Sequence, residues 1–326
     1  MAFAKKLVAT TLIVGGTLGS LALINKVTEQ MAGELDTVLN GEERRYPWKY
    51  GDIFYKVKGA QGAKPLVLIH GFGPGTSSYE WRKNIDALST QFRVFALDLL
   101  GFGLSERPPM DYDAELYADL LSDFITEVVG TSAIVVAHGA TSAYAIVAAY
   151  RRPQLFERLV LISPPPAILE EAYPGISDAL VKRLLSLPIV GQFIYNLLTS
   201  RRAIRRFYDK QGYHNPGLVT DELVEYLYTT AHQPGSRFAT AALLGKYLHL
   251  DVLEPLARLQ MPVVTVWGRE SAGTGHDSAQ AGAAFTRVNK QVEVYVFDKC
   301  RQHLQDEQAR QLNSLLGNYA GITVKS

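Results

Sequence analysis

The sequence predicts an α/β fold: a doubly wound, mostly parallel sheet interrupted by a helical cap and preceded by an N-terminal membrane-anchor helix. Three observations carry this. Short apolar or β-branched runs alternate with helical patterns over most of the chain. Between residues 167 and 250 the alternation stops and only helical stretches occur. A long uncharged run follows a basic start. The 326 residues suffice for a large buried core, and 47% hydrophobic content excludes a disordered chain. With 33 Lys and Arg against 32 Asp and Glu, the net charge of +1 argues against a nucleic-acid partner. Cys300 stands alone, which excludes an internal disulfide and any cysteine-clustered zinc site.

The elements follow in order. After Lys5 and Lys6, Leu7 to Ile24 carry no charge, and such a run spans about 27 Å as a helix, enough for a bilayer core. No clean cleavage site follows, so residues 1–26 are expected to be an uncleaved single-pass anchor. The cations before the span outnumber Lys26 after it, which places the globular part on the extracytoplasmic side. Gly15 and Gly19 form a GxxxG that can pair helices. Val27, Met31, Leu35 and Val38 recur at helical spacing, so residues 27–45 are expected to be an amphipathic connector or a plain linker helix. Strands are expected over Ile53–Lys58, Pro65–Ile69, Arg93–Leu97, Ala133–Ala137, Leu159–Ser163, Val263–Trp267 and Val292–Phe297. The middle five are almost continuously apolar, as parallel strands covered on both faces must be. Helices are expected over Tyr79–Gln91, Ala114–Val129, Ser142–Tyr150 and Asp306–Tyr319. Residues 46–166 and 251–326 form the expected core, and residues 167–250 the helical cap.

Three turns carry chemistry. The strand ending at Ile69 runs into His70-Gly71-Phe72-Gly73. The strand ending at Leu97 runs into Asp98-Leu99-Leu100-Gly101-Phe102-Gly103-Leu104-Ser105-Glu106-Arg107-Pro108, and Val263–Trp267 runs into Gly268-Arg269-Glu270. Together, over roughly residues 46–320, these resemble the α/β-hydrolase superfamily, nearest its cap-bearing group of epoxide hydrolases, dehalogenases, carbon–carbon hydrolases and esterases. The resemblance implies oxyanion N–H donors at Phe72 and Ala140.

The catalytic positions depart from that pattern. Where the family carries G-x-S-x-G on a strand-to-helix elbow, this chain reads Ala137-His138-Gly139-Ala140-Thr141, with Gly139 in the place of the nucleophile. The acid position after Trp267-Gly268 falls on Ser271, and counting back from Glu307 puts Gln302 at the histidine position, with His303 one residue late. Loss of the serine alone costs about 10⁶-fold in turnover in a serine protease. The leading expectation is therefore a membrane-anchored pseudoenzyme that binds an apolar small molecule or serves in a membrane protein complex.

The alternative is an active, esterase-like hydrolase on an apolar or lipid-like substrate with a non-standard site. Within it, His303 with Glu270 could activate water. Thr141 and Ser142 lie in the first turn of the next helix, where capping competes with catalysis. Cys300 lies on another loop. His138 points from the elbow either at a ligand or at a structural partner. Neither His276-Asp277 nor His303-Asp306 has a second cluster at ligand spacing, so no metal and no cofactor is expected. In the cap, Lys182, Arg183, Arg201, Arg202, Arg205, Arg206 and Lys210 face Asp209 alone, with apolar residues interleaved. That pattern suits either membrane lipid or an ordinary solvated face.

Overall fold

A computed structural model of the chain describes residues 2–170, 172–271 and 278–320, with the side chains of residues 2–16 left outside. Helix α1 (Ala2–Ala32) leads into an antiparallel hairpin, β1 (Glu42–Trp48) and β2 (Gly51–Lys58). There follow β3 (Lys64–Ile69), the short α2 (Ile85–Leu88), β4 (Phe92–Leu97), α3 (Ala114–Phe124), β5 (Ala133–His138), α4 (Ser142–Arg151) and β6 (Phe156–Ile162). The cap holds α5 (Ile176–Ser186), α6 (Val190–Leu198), α7 (Arg201–Phe207), α8 (Asp221–Ala231) and α9 (Ser236–Leu244). The chain returns through α10 (Leu253–Arg258), β7 (Val263–Gly268), α11 (Ser278–Val288), β8 (Val292–Phe297), α12 (Leu304–Glu307) and α13 (Ala309–Gly317).

The eight strands form one sheet in the order β1-β2-β4-β3-β5-β6-β7-β8, parallel from β4 onward. Because successive side chains of a strand face opposite ways, β5 feeds two cores. Ala133, Val135 and Ala137 pack under α3 and α4, while Ile134 and Val136 pack under α13 with Leu312 and Leu316. A strand buried on both faces has no polar positions, hence the unbroken apolar runs. Strand β1 escapes the same reading because Glu-Glu-Arg-Arg on a solvated edge carries no apolar signal. The helix expected over Tyr79–Gln91 is broken instead into a 3₁₀ turn (Ser78–Trp81) and α2.

The N-terminal expectation needs correction. Among the described residues no helix is long and apolar enough to cross a membrane, which overturns the single-pass anchor and the extracytoplasmic placement. Residues 7–16 of the uncharged run lie outside the described side chains. Beyond them α1 turns polar and docks on the cap. Asn25 donates to the Ile189 carbonyl (2.9 Å) and accepts from Asn196 (3.1 Å), and Thr229 donates to the Ala32 carbonyl (3.1 Å). Val27 and Met31 are exposed rather than forming the buried face of a connector. The cap's cations are also partly neutralised from outside their own stretch: Lys182 pairs with Asp111, Arg201 with Glu225 and Arg205 with Asp221.

Candidate active site

The carboxyl ends of β3, β5, β6 and β7 open onto one cavity of about 290 Å³, roofed by Leu198, Ala203, Ile204, Phe207 and Tyr208 of the cap. Phe72, His138, Gly139, Ala140, Ser271, Gln302 and His303 all line it. The expected oxyanion, elbow, acid and histidine positions are therefore gathered here, whereas Thr141, Ser142, Glu270, Cys300 and Asp306 do not line the cavity.

Each is placed by its element. The loop after β3 is locked at its root by His70. The Leu99 N–H donates to its Nε2 (3.0 Å), so Nδ1 carries the proton and donates to the Gly71 carbonyl (2.8 Å). The Phe72 ring stacks on Phe102 at 5.0 Å and meets Tyr117 edge-on at 4.9 Å, which fixes the loop from the other side. At the end of β5, Gly139 has φ +63°, the left-handed conformation of a tight elbow, and a Cβ built there meets nothing within 4 Å. Glycine takes this conformation without strain and leaves open space where a nucleophile's side chain would stand. Thr141 and Ser142 are fully buried and donate back to the carbonyls of His138 (2.8 Å) and Ala137 (3.4 Å). They neither cap α4 nor face the cavity.

The expected His303–Glu270 pair does not form. Glu270 instead accepts the backbone N–H groups of Cys300 (3.1 Å) and Lys299 (3.3 Å). Cys300 is packed in the apolar layer under α13, where burial pushes its thiol up to about 12, so it holds no thiolate at neutral pH. The Ser271 hydroxyl is buried with no hydrogen-bond partner among the described residues, and carries no charge with which to orient a histidine.

The structure supplies another pair. Glu80, on the turn after β3, accepts the Gly71 N–H (3.0 Å) and lies 3.1 Å through both carboxylate oxygens from His138 Nδ1. The opposite nitrogen, Nε2, lies 3.1 Å from the Gln302 carbonyl. Burial pulls the His138 pKa down, but the charge and hydrogen bond of Glu80 outweigh it and hold the imidazole above its ordinary value. For Glu80, burial pushes upward and His138 more than offsets it, leaving the carboxyl below its usual range. His303 stacks against Tyr213 (5.2 Å) and Tyr208 (5.0 Å), with its ring centroid 5.0 Å from that of His138. Burial, reinforced by the His138 charge, brings its pKa down to about 3, so it is neutral and a poor proton acceptor. Ligand-capable atoms of Glu80, His138 and His303 all lie within 4.8 Å of one another, a grouping that the His276-Asp277 and His303-Asp306 spacings did not include. His276 and Asp277 lie outside the described residues. Sequence spacing could not show the grouping because its members sit on three separate turns.

The same turn ties core to cap. Ser77 bonds Tyr226 of α8 through their hydroxyls (3.0 Å), Tyr79 stacks on Tyr226 at 3.8 Å, and Arg82 pairs with Asp306. Gly75, at φ +80°, lies so close to α8 that a Cβ would come within 2.2 Å of the Leu227 carbonyl.

Comparison with known proteins agrees with this architecture. The model of the family described as "Alpha/beta hydrolase family" matches residues 66–315. The chain is 26% identical over 263 residues to the 2-hydroxymuconate semialdehyde hydrolase of Pseudomonas sp. (strain CF600), covering 78% of this chain and 86% of that protein. It is 28% identical over 253 residues to the soluble epoxide hydrolase of Corynebacterium sp. (strain C12), covering 74% and 85%. Among solved structures, the naproxen esterase of Bacillus subtilis superposes with a TM-score of 0.66 at 18% identity, covering 90% of this chain and 96% of that one. The relatives are named as hydrolases, which goes against the pseudoenzyme expectation.

Proposed function

The chain belongs to the α/β-hydrolase family, and from that premise we propose that it hydrolyses a small, largely apolar carbonyl substrate by direct attack of water. The observation that carries the reading is the open space at Gly139, flanked by the expected oxyanion positions Phe72 and Ala140 and by the Glu80–His138 pair. A water molecule fits where a serine oxygen would otherwise attack. Its oxygen bonds to the carbonyl carbon while its proton passes to Nε2 of the neutral His138, which must first release to solvent the hydrogen it directs at the Gln302 carbonyl (3.1 Å), with Nδ1–H held by Glu80. The carbonyl oxygen becomes an oxyanion facing the Phe72 and Ala140 N–H groups. When the tetrahedral adduct collapses, the bond to the leaving group breaks and His138 returns the proton to it. No covalent intermediate forms, because glycine offers no atom to carry one.

The roof of Leu198, Ile204 and Phe207 suits an apolar substrate body. The relatives act, by their names, on a semialdehyde and on epoxides. An epoxide opened through an ester intermediate needs a carboxylate at the elbow, so the carbonyl class fits Gly139 better. The test is turnover of short-chain p-nitrophenyl esters and of carbonyl compounds cleaved at a carbon–carbon bond. Steady turnover without an initial burst is expected, insensitive to fluorophosphonates and reduced about 10²–10⁴-fold by His138→Ala. Ligand binding with no turnover, or a covalently labelled protein, overturns the reading.

A further inference from the structure

The Glu80–His138–His303 grouping has a fourth member. Gln305 is fully buried, and its Nε2 lies 3.3 Å from His138 Nδ1 and 3.4 Å from His303 Nδ1. Its Oε1 has no partner among the described residues. His138 Nδ1 is the nitrogen that carries the proton toward Glu80, so an amide N–H group faces another donor while a buried acceptor goes unpaired. Turning the amide by 180° exchanges nitrogen and oxygen and directs the oxygen between the two imidazoles. A cation at the centre then satisfies all four groups. Donor atoms around a tetrahedral ion with bonds of about 2.1 Å are about 3.4 Å apart. Three of the six separations, 3.1, 3.3 and 3.4 Å, are close to that spacing, and the ligand atoms of Glu80, His138 and His303 all lie within 4.8 Å of one another, so a small inward shift closes the site on an ion.

We propose that Glu80, His138, His303 and Gln305 form a binding site for a first-row divalent transition ion such as Zn²⁺. The carboxylate and amide oxygens are hard donors that many cations accept, and it is the two borderline imidazoles that favour Zn²⁺ or Co²⁺ over Mg²⁺. The ion takes the place of the proton on His138 Nδ1, which is released to solvent. The cluster forms the wall between the main cavity and a smaller one of about 20 Å³ lined by Tyr79, Arg82, Tyr208 and Tyr213. With Nδ1 on the metal, Nε2 keeps its hydrogen on the Gln302 carbonyl and cannot accept one from water. Loaded protein is therefore expected to lose turnover, and that consequence alone rests on the hydrolase reading.

The experiment is equilibrium dialysis of the chelator-treated full chain against Zn²⁺, with Co²⁺ absorption as the spectroscopic readout. One ion per chain and a four-coordinate Co²⁺ spectrum are expected. Loss of a ligand should weaken binding at least as much as loss of an outer partner does, about 10–100-fold or more, in both His138→Ala and His303→Ala. Gln305→Glu keeps the shape and adds a carboxylate, so it should bind more tightly, and it guards against variants that fail to fold. An ion that is not retained, or is retained equally by all these variants, overturns the site. Metal bound at the cluster without hydrolysis by either form supports the site and sinks the hydrolase reading. Hydrolysis with no metal bound does the reverse.

Discussion

Gly139 stands at the strand-to-helix elbow where a serine nucleophile is expected. Gly139→Ser has room for its Cβ, but a side chain at φ +63° costs about 1–2 kcal/mol in an unsupported left-handed conformation. Its hydroxyl would occupy the position of the attacking water. With Ser271 and Gln302 at the other two positions, it would have only the Glu80–His138 pair beside it, whose Nε2 is engaged by the Gln302 carbonyl. Turnover should therefore fall, by about 100-fold if the water is displaced by an ångström. The variant should also remain unlabelled by fluorophosphonate, and a labelled, faster enzyme would contradict the direct-water route. The three substituted positions were legible in the sequence because each lies at a fixed offset from a strand end. Glu80 was not, since a glutamate before Trp81 has no spacing relation to an elbow 58 residues later.

At the scale of elements, the cap's hold on α1 rests on few contacts. Asn25→Ala removes its bonds to Ile189 and Asn196, each worth about 1 kcal/mol. Limited proteolysis should then cut the α1–β1 connection sooner than in the wild type, and an unchanged cleavage rate would show that docking lies elsewhere. The cap also carries a pH dependence. His232 is buried between α6 and α8, with Nδ1 2.8 Å from the Tyr228 carbonyl, and burial holds its pKa below the ordinary value. The unfolded chain therefore takes up a proton at that ordinary value, about 6.5, before the folded one does. His232's contribution is complete above this pH and is lost progressively as pH falls through it. Thermal melting should drop more steeply on acidification in the wild type than in His232→Gln. Strand positions in the core were readable because burial on both faces makes continuous apolar runs. The break after Trp81 was not, because Tyr79, Trp81 and Ile85 mimic helical spacing while being fixed by contacts from α8, β5 and α13.

At the scale of the molecule, core and cap meet backbone to backbone where Gly75 passes Leu227. Gly75→Ala forces that contact apart and should tilt α8 over the cavity. The expected signature is a raised KM with a smaller change in kcat, together with a lowered melting temperature. Equal loss in both kinetic constants would mean that the displacement reaches the attack geometry itself. The mostly parallel sheet could be anticipated from the sequence. The docking of α1 could not, because its uncharged run satisfies the length rule for a membrane span and hides the polar residues that follow.

The arc from Gly71 to Arg82 therefore does several jobs with one short piece of chain. It presents Phe72 to the cavity, passes under α8, carries Glu80 to His138 and ends on Asp306. Such a segment has no independent parts. A ligand entering under the cap and a cation settling beside His138 would press on the same twelve residues, so each would be felt by the other without any domain having to move.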